Sequence, residues 1–333
     1  MSSVRYLFSM GELSRKDNSL YFKNEKKRVH IPVEGIKEIY ALNEISFNTK
    51  LLDFLSSKNI VLHCFNYYGN YSGSFYPREK YTSGKLLIKQ VEAYQSEKRI
   101  KIAKKIVKAI GNNNLEVLYH YYKHNCKEVK PTIDWIRNEC RNQVESAESI
   151  SDIMLVEAEI WQRFFSCLKY ILPEDFMFNK RVRRPPDNPI NALISFGQTL
   201  LYTKCISIIY QTHLDQTISF LHEPMEQRFS LSLDISEAFK PVIVFRTIFD
   251  LVNNGRLKVD KHFDKKLNYC LLNEEGRQVF VQAFEDRLER TFVHPKLKRK
   301  VSYATAIKLD CYKLIKFVFE DRDFEFYSLK DKM

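Results

Sequence analysis

Four side chains in the middle of the chain are of the types that hold a divalent cation. In FLHEP, His222 ends an apolar segment, and twelve residues later LDISEAF carries Asp234 and Glu237. Three positions apart on a helix, those acids share one face. The fourth, Glu157, lies 65 residues before His222 in IMLVEAEIWQRFF, with Ile153, Ile160, Trp161 and Phe164 at helical spacing around it. A carboxylate among such neighbours is costly to bury unpaired, and a metal ion would neutralise it. Glu159, in the same stretch, reads as solvent-exposed. Carboxylate oxygens with one imidazole suit Mg²⁺ or Mn²⁺ and need no thiolate. Such an ion polarises a phosphodiester, activates an attacking hydroxyl and offsets the charge of the leaving oxygen. A histidine near two acids is more often the pattern of a capped or hydrogen-bonded structural residue, and spacing alone gives only a weak signal for a metal.

The charge balance allows a phosphodiester substrate. Over 333 residues, 53 Lys and Arg stand against 41 Asp and Glu, a net charge of +12. Such an excess favours a polyanion partner through counterion release, or is simply a solvated basic surface. Just before the candidate site, KRVRRPP places Arg183 and Arg184 on a basic arm. A second basic series, Lys98, Arg99, Lys101, Lys104, Lys105 and Lys108, follows one face of a helical pattern and reads first as a solubilising surface. His120 and His124 are spaced to bind a metal on a helix, but with no acid nearby in sequence they read as surface histidines.

Other chemistries lack their signatures. The chain has no GxxxxGK[ST] loop, no GxGxxG after a strand, no HExxH and no GxSxG, which disfavours an ATPase, a dinucleotide enzyme, a zincin and a serine hydrolase. Seven scattered cysteines without a CxxC pair read as reduced, buried thiols. No apolar run approaches the roughly 20 residues of a membrane span. The opening MSSVRYLFSMGELSRKDN lacks the apolar core of a secretion signal, so the expected location is cytoplasmic, with no membrane partner.

The elements that must position these residues predict an α+β protein. Residues 1–78 read as a small β-sandwich domain, with Val-, Ile-, Tyr- and Phe-rich segments such as VRYLFS, SLYFK, RVHIPV and NIVLHCF between turn residues. One amphipathic insert, NTKLLDFLSSKN, packs over the sheet. The evenly spread charges make this domain structural or associative. Residues 79–333 read as a larger, all-helical catalytic domain. A helix ends at Gly111; another buries Ile153, Met154, Val156, Ile160, Phe164 and Leu168; others cover 189–211, 235–253, 274–292 and 302–320. The tail EDRDFEFYSLKDKM reads as peripheral.

Over nearly its whole length the sequence resembles the CRISPR-associated endonuclease/integrase family, the universal adaptation protein of CRISPR systems. RRPPDNPINALISFGQTLLY, HLDQTISFLHEP and SLSLDISEAFKP carry the resemblance most specifically, supported by IMLVEAEIWQRFF and, near the start, GELSRKDNSLYF and YGNYSGSFYPRE. The resemblance implies Glu157, His222 and Glu237 as ligands of Mg²⁺ or Mn²⁺, with Asp234 supporting the site. It implies Arg228 as a DNA contact and a structural role for Asn191, and Arg183, Arg184 and Lys240 are read as further phosphate contacts. It also implies a homodimer formed asymmetrically through the N-terminal domain. The partners implied are double-stranded DNA and a small ferredoxin-like protein, the second CRISPR-associated adaptation protein. The activity implied is insertion of captured DNA fragments into a CRISPR array, by attack of their 3′-hydroxyls. Three positions depart from the family pattern: Ala158 where Gly is common, Lys240 for a frequent Arg, and Phe245 where Asp is frequent, beside a salt bridge. The alternatives are a general branched-DNA endonuclease and a non-catalytic basic DNA-binding scaffold.

Overall fold

The computed structural model describes residues 4–77, 83–183, 185–225, 229–266, 269–294 and 297–328. Eight strands come first: β1 (Val4–Leu7), β2 (Gly11–Lys16), β3 (Ser19–Lys23), β4 (Arg28–Ile31), β5 (Glu38–Ala41), β6 (Ile45–Ser46), β7 (Val61–Phe65) and β8 (Tyr71–Phe75). They form two four-stranded sheets, in the orders β1-β5-β7-β8 and β4-β3-β2-β6. Asp17, with φ at 55°, makes the tight β2–β3 turn, a left-handed conformation that Asp and Asn tolerate. Helix α1 (Thr49–Ser57), capped by the Asn48 side chain on the Leu51 N–H, lies between β6 and β7. Its Leu51, Phe54 and Leu55 join Leu13, Leu20 and Phe22 of one sheet and Leu7, Ile39 and Leu62 of the other in one apolar core.

The remainder is mainly helical. In order come α2 (Gly84–Tyr94), α3 (Lys98–Lys123), α4 (Lys130–Trp135), α5 (Arg141–Ser146), α6 (Ile150–Ile171), α7 (Pro189–Tyr210), α8 (Ser230–Phe239), α9 (Arg246–Asn253), α10 (Val259–His262), α11 (Glu274–Glu289) and α12 (Tyr303–Glu320). All-helical is a correction: β9 (Phe263–Lys266) pairs with β10 (Tyr269–Leu272), and β11 (Thr291–Val293) with β12 (Lys300–Ser302). The second hairpin begins at Thr291, inside the helix expected over 274–292, so α11 stops at Glu289. Gly111 does not end a helix either. It is buried inside α3, whose 26 residues run against α6 and α8, so tertiary packing overrides the roughly 1 kcal/mol helix penalty of glycine.

Helix α7 is the centre of the large core. By length and composition Pro189–Tyr210 is apolar enough to cross a membrane, contrary to the sequence reading, yet 78% of its apolar window is buried inside the molecule. A β-carbon on its Gly197 would come within 2.7 Å of Val244 and 2.8 Å of Phe280, so glycine is what lets the helix approach both. The N-terminal strands are bolted to this helix by polar groups. Lys204 of α7 pairs with Glu38 of β5 at 3.1 Å, and His63 of β7 bonds Ser207 at 2.6 Å. Arg277 of α11 donates to the carbonyls of Leu42 and Tyr67 at 2.8 and 3.0 Å.

The C-terminal tail is not peripheral. Phe324, Phe326 and Tyr327 are buried. The Tyr327 ring stacks on Phe239, with centroids 5.3 Å apart, and its N–H donates to the buried Asp310 at 2.7 Å. Asn113 of α3 bridges the carbonyls of Ala238 and Tyr327. The basic face of α3 binds this tail and its neighbours: Lys98 meets Asp321, Lys105 meets Asp323 and Glu325, Lys108 meets Glu145, and Arg99 meets Glu223. Much of the charge that read as a solvated surface is therefore paired between elements.

Candidate active site

Glu157 sits on α6, whose first turn is fixed by a capping box between Ser149 and Asp152. Ile153, Val156, Ile160, Phe164 and Leu168 form the buried face as expected, but Met154 is exposed. Glu157 lies half-buried at the edge of that face. Burial, and then the charge of Glu237, push its carboxyl up to about 7, while Lys240, His222 and the Trp161 indole pull the other way. Glu159 instead pairs with Arg163 at 2.8 Å.

His222 is held by Asp234. The Asp234 carboxylate is fully buried and accepts the backbone N–H groups of Phe220, Leu221 and His222 at 2.7, 2.9 and 3.1 Å. It also faces His222 Nδ1 at 2.8 Å. An ionised carboxylate only accepts, so Nδ1 carries the proton and Nε2 is the nitrogen left for the cavity. Burial works against a charged His222 ring, but the bond and charge of Asp234, with Glu237 and Glu157, outweigh it and raise its pKa.

Glu237 is positioned by a defect in its helix. Pro241 has no N–H to offer the Glu237 carbonyl four residues back, so Lys240 N–H donates there instead. The chain then continues as a π-helical turn over Lys240–Phe245 before α9, a widening frequent at functional sites. This brings the Lys240 ammonium onto Glu237 Oε1 and 5.8 Å from the centre of the Trp161 ring. The other carboxylate oxygen, Oε2, is buried without a hydrogen-bond partner among the described residues.

Glu157, His222, Glu237 and Lys240 line one cavity of about 1540 Å³, with Arg183 on its wall as well. Asp234 is not on that wall; it acts on His222 from behind. Arg184 and Arg228 lie outside the described residues, and His120 and His124, with rings 4.5 Å apart on the last turn of α3, are not on the cavity wall. Among the described residues no three His, Cys, Asp or Glu side chains are already drawn into a coordination shell; Lys240 balances Glu237 instead. The donor set nevertheless fits a hard divalent cation: two carboxylates, one with an orphaned buried oxygen, and an imidazole held in one tautomer.

The family model described as CRISPR associated protein Cas1 matches residues 5–286. The chain belongs to the Cas1 family. It is 42% identical over 327 residues to a CRISPR-associated endonuclease Cas1 of Thermodesulfovibrio yellowstonii, covering 98% of each chain. It superposes on the structure of a Cas1 protein from Thermotoga maritima with a TM-score of 0.84 and 38% identity, over 98% of this chain and 100% of that one. The fold, at 18% identity, is also that of a casposase bound to integration product, with a TM-score of 0.84 over 98% of this chain and 94% of the other.

In this Cas1 chain Phe245 has no place for a salt bridge. It is fully buried, its ring 4.8 Å from Phe164 and 5.7 Å from Trp161, so it packs behind the tryptophan that contacts Glu157. Arg246, next to it, reaches Glu116 at 3.9 Å. Asn191 braces the basic arm: its side chain donates to Lys180 O and Asp187 and accepts from Arg181. Sequence reasoning missed Arg181, whose guanidinium burial brings down to about 10, and Lys169, Lys180 and Tyr202 on the cavity wall. It also read the N-terminal strands as having no part in a site, yet Asn70 and Tyr71 line the cavity.

Proposed function

We propose that this protein is a divalent-metal-dependent DNA endonuclease and integrase of CRISPR adaptation. It joins the 3′-hydroxyls of captured fragments to the CRISPR array. The reading rests above all on Glu237, a buried carboxylate with one oxygen unpartnered, sharing a cavity with Glu157 and with a histidine whose free nitrogen is Nε2. Glu157, His222 and Glu237 hold Mg²⁺ or Mn²⁺, which when bound supplies Lewis-acid polarisation of the phosphodiester. Asp234 keeps the His222 ring in one orientation. Arg183, with Arg184, Arg228 and Lys240, binds phosphate oxygens; for Lys240 this requires leaving Glu237. Trp161 and Phe165 shield one side of the cavity from water.

In the joining step one P–O bond forms to the incoming 3′-oxygen and one breaks. The attacking hydroxyl loses its proton and the departing oxygen gains one, so no energy source is consumed. That agrees with the missing phosphate loop. Residues 1–78 form the homodimer interface, the small ferredoxin-like second adaptation protein joins the assembly, and the work is done in the cytoplasm. Glu157→Ala and His222→Ala are expected to abolish Mn²⁺- or Mg²⁺-dependent cleavage and joining on a repeat-bearing plasmid while leaving duplex binding intact. Full activity in either variant would remove the site, and a wild-type protein that binds DNA without any EDTA-sensitive activity would make it a scaffold.

A further inference from the structure

A lysine stands among the groups read as cation ligands. The Lys240 ammonium rests on Glu237 Oε1 and lies 5.8 Å from the centre of the Trp161 ring. Both partners are drawn out of water: the Lys240 side chain is 12% exposed and that of Glu237 5%. Lys240 also acts on Glu157. Burial and then Glu237 work against a charge on that carboxylate, and Lys240 is the strongest of the groups that favour it. The same ammonium thus serves both cavity carboxylates, one by contact and the other at longer range.

A divalent cation held by those two carboxylates would stand beside this ammonium, and positive charges confined to a site shielded from water repel strongly. Lys240 and the cation therefore exclude each other. The backbone is not free to move: Lys240 N–H donates to the carbonyls of Glu237 and Ser236, and Pro241 follows. The side chain is free to do so, because it ends in a point charge on a flexible four-carbon stem. Among the described residues its one hydrogen bond is the one to Glu237.

Charge decides where the displaced ammonium goes. Among the described residues the acids on the cavity wall are Glu157 and Glu237, and Lys169, Lys180, Arg181 and Arg183 share that wall with them. Once a cation holds both acids, Lys240 finds no other carboxylate there. Its counter-charge has to come from an anion inside the cavity.

We propose that Lys240 is an exchange switch: it occupies Glu237 until a divalent cation takes its place, and then turns to a phosphate of the DNA in the cavity. The proposal rests on the reading of the cavity as a metal and DNA site, and adds an order to its loading. A phosphate that arrives before the cation meets a Lys240 still engaged by Glu237, whereas one that arrives afterwards gains an ammonium. Cation and phosphate favour each other through this residue, and by linkage each helps to retain the other. Lys240 is one basic group among several on the wall, so overall duplex affinity changes little and the switch is read at the lysine itself.

The test uses the full chain and measures amine acylation of Lys240 at pH 8 by peptide mass spectrometry. In EDTA Lys240 should label slowly, and duplex DNA should not alter its rate. If Glu237 holds Lys240 about nine-tenths of the time, saturating Mn²⁺ should raise that rate about tenfold. Duplex DNA added to the Mn²⁺-loaded protein should suppress it again, and Glu157→Gln should abolish the response to Mn²⁺. The same fraction predicts that Lys240→Met binds Mn²⁺ about tenfold more tightly than wild type in DNA-free calorimetry, while Lys240→Arg, which keeps a cation there, does not. If Mn²⁺ binds wild type and Lys240 stays protected, or if Lys240→Met binds Mn²⁺ no more tightly, there is no exchange, and the metal-dependent reading still stands. Protection of Lys240 by DNA in EDTA would overturn the order of loading. Failure of Mn²⁺ to bind wild type, or equal binding to Glu157→Gln, would instead overturn the metal reading itself.

Discussion

Glu157→Gln separates a carboxylate kept for a cation from one that is merely present. In the metal-free protein the Glu157 carboxyl stands at about 7 against an ordinary 4.5, chiefly through burial and then through Glu237. An acid whose folded value lies above its unfolded value binds its proton more tightly when folded. Its contribution to stability is therefore complete below about pH 4.5 and is lost as pH rises through 7. At ~1.4 kcal/mol per tenfold, the loss is at most about 3 kcal/mol. His222, also raised, loses its contribution in the same direction as pH climbs past its folded value; Glu157 is the smallest of the groups that raise it, so the variant keeps most of that slope and sheds only its smallest part. Urea unfolding in EDTA at pH 5, 6, 7 and 8 should thus show wild type falling more steeply than Glu157→Gln, with the two curves converging or crossing toward alkaline pH. Saturating Mn²⁺ at pH 8 should then stabilise wild type by ~2.7 kcal/mol at a hundredfold excess over its dissociation constant, and the variant by clearly less. Parallel pH curves would show that Glu157 is not held protonated by its surroundings. Equal stabilisation by Mn²⁺ would show that it is not a ligand.

Two further perturbations test how Glu237 is held. Lys240→Met removes the one ion-pair partner of Glu237 among the described residues, and the Glu237 side chain is 5% exposed; unfolding in EDTA should reveal a loss of about 3–5 kcal/mol, much reduced by Mn²⁺, whereas a neutral effect in EDTA would mean that the lysine does not balance the carboxylate. Tyr327→Ala removes the ring stacked on Phe239 two residues beyond Glu237 and should cost about 3–5 kcal/mol by analogy with other buried aromatics. It should also slow metal-dependent cleavage under conditions where the protein is fully folded, and unchanged cleavage there would show that the tail serves stability alone.

The parts of this structure that were legible in the sequence are those decided by neighbours along the chain. Short β-branched and aromatic runs between turn residues marked most of the N-terminal strands, and apolar spacing marked α1, α6 and α7, because period and turn chemistry are local. Apart from the β9–β10 and β11–β12 hairpins, which are local, the misreadings concern packing between distant segments. Gly111 looks like a stop until α6 and α8 are packed along α3. Asn191, Ser195, Thr199, Thr203 and Lys204 make α7 look too polar for a long apolar span, yet several of these polar groups are buried against partners elsewhere, such as Glu38 for Lys204. In EDRDFEFYSLKDKM the acids suggested a solvated tail; the overlooked signal was Phe324, Phe326 and Tyr327 close together, with the acids free to meet the lysines of α3.

At the site, spacing put Asp234 and Glu237 on one helix face, and the two acids diverge because of what lies opposite each. Asp234 faces a turn offering three N–H groups and a ring nitrogen, which satisfy it completely. Glu237 faces Lys240 and the cavity, which leave one oxygen unsatisfied. On the proposed reading, the structural histidine–acid pair and the cation site that the sequence left open involve different acids of the same cluster. The structural pair Asp234–His222 is what orients the imidazole so that its other nitrogen can serve beside Glu157 and Glu237. Neutralising Asp234 would disturb that orientation while leaving both cavity carboxylates in place.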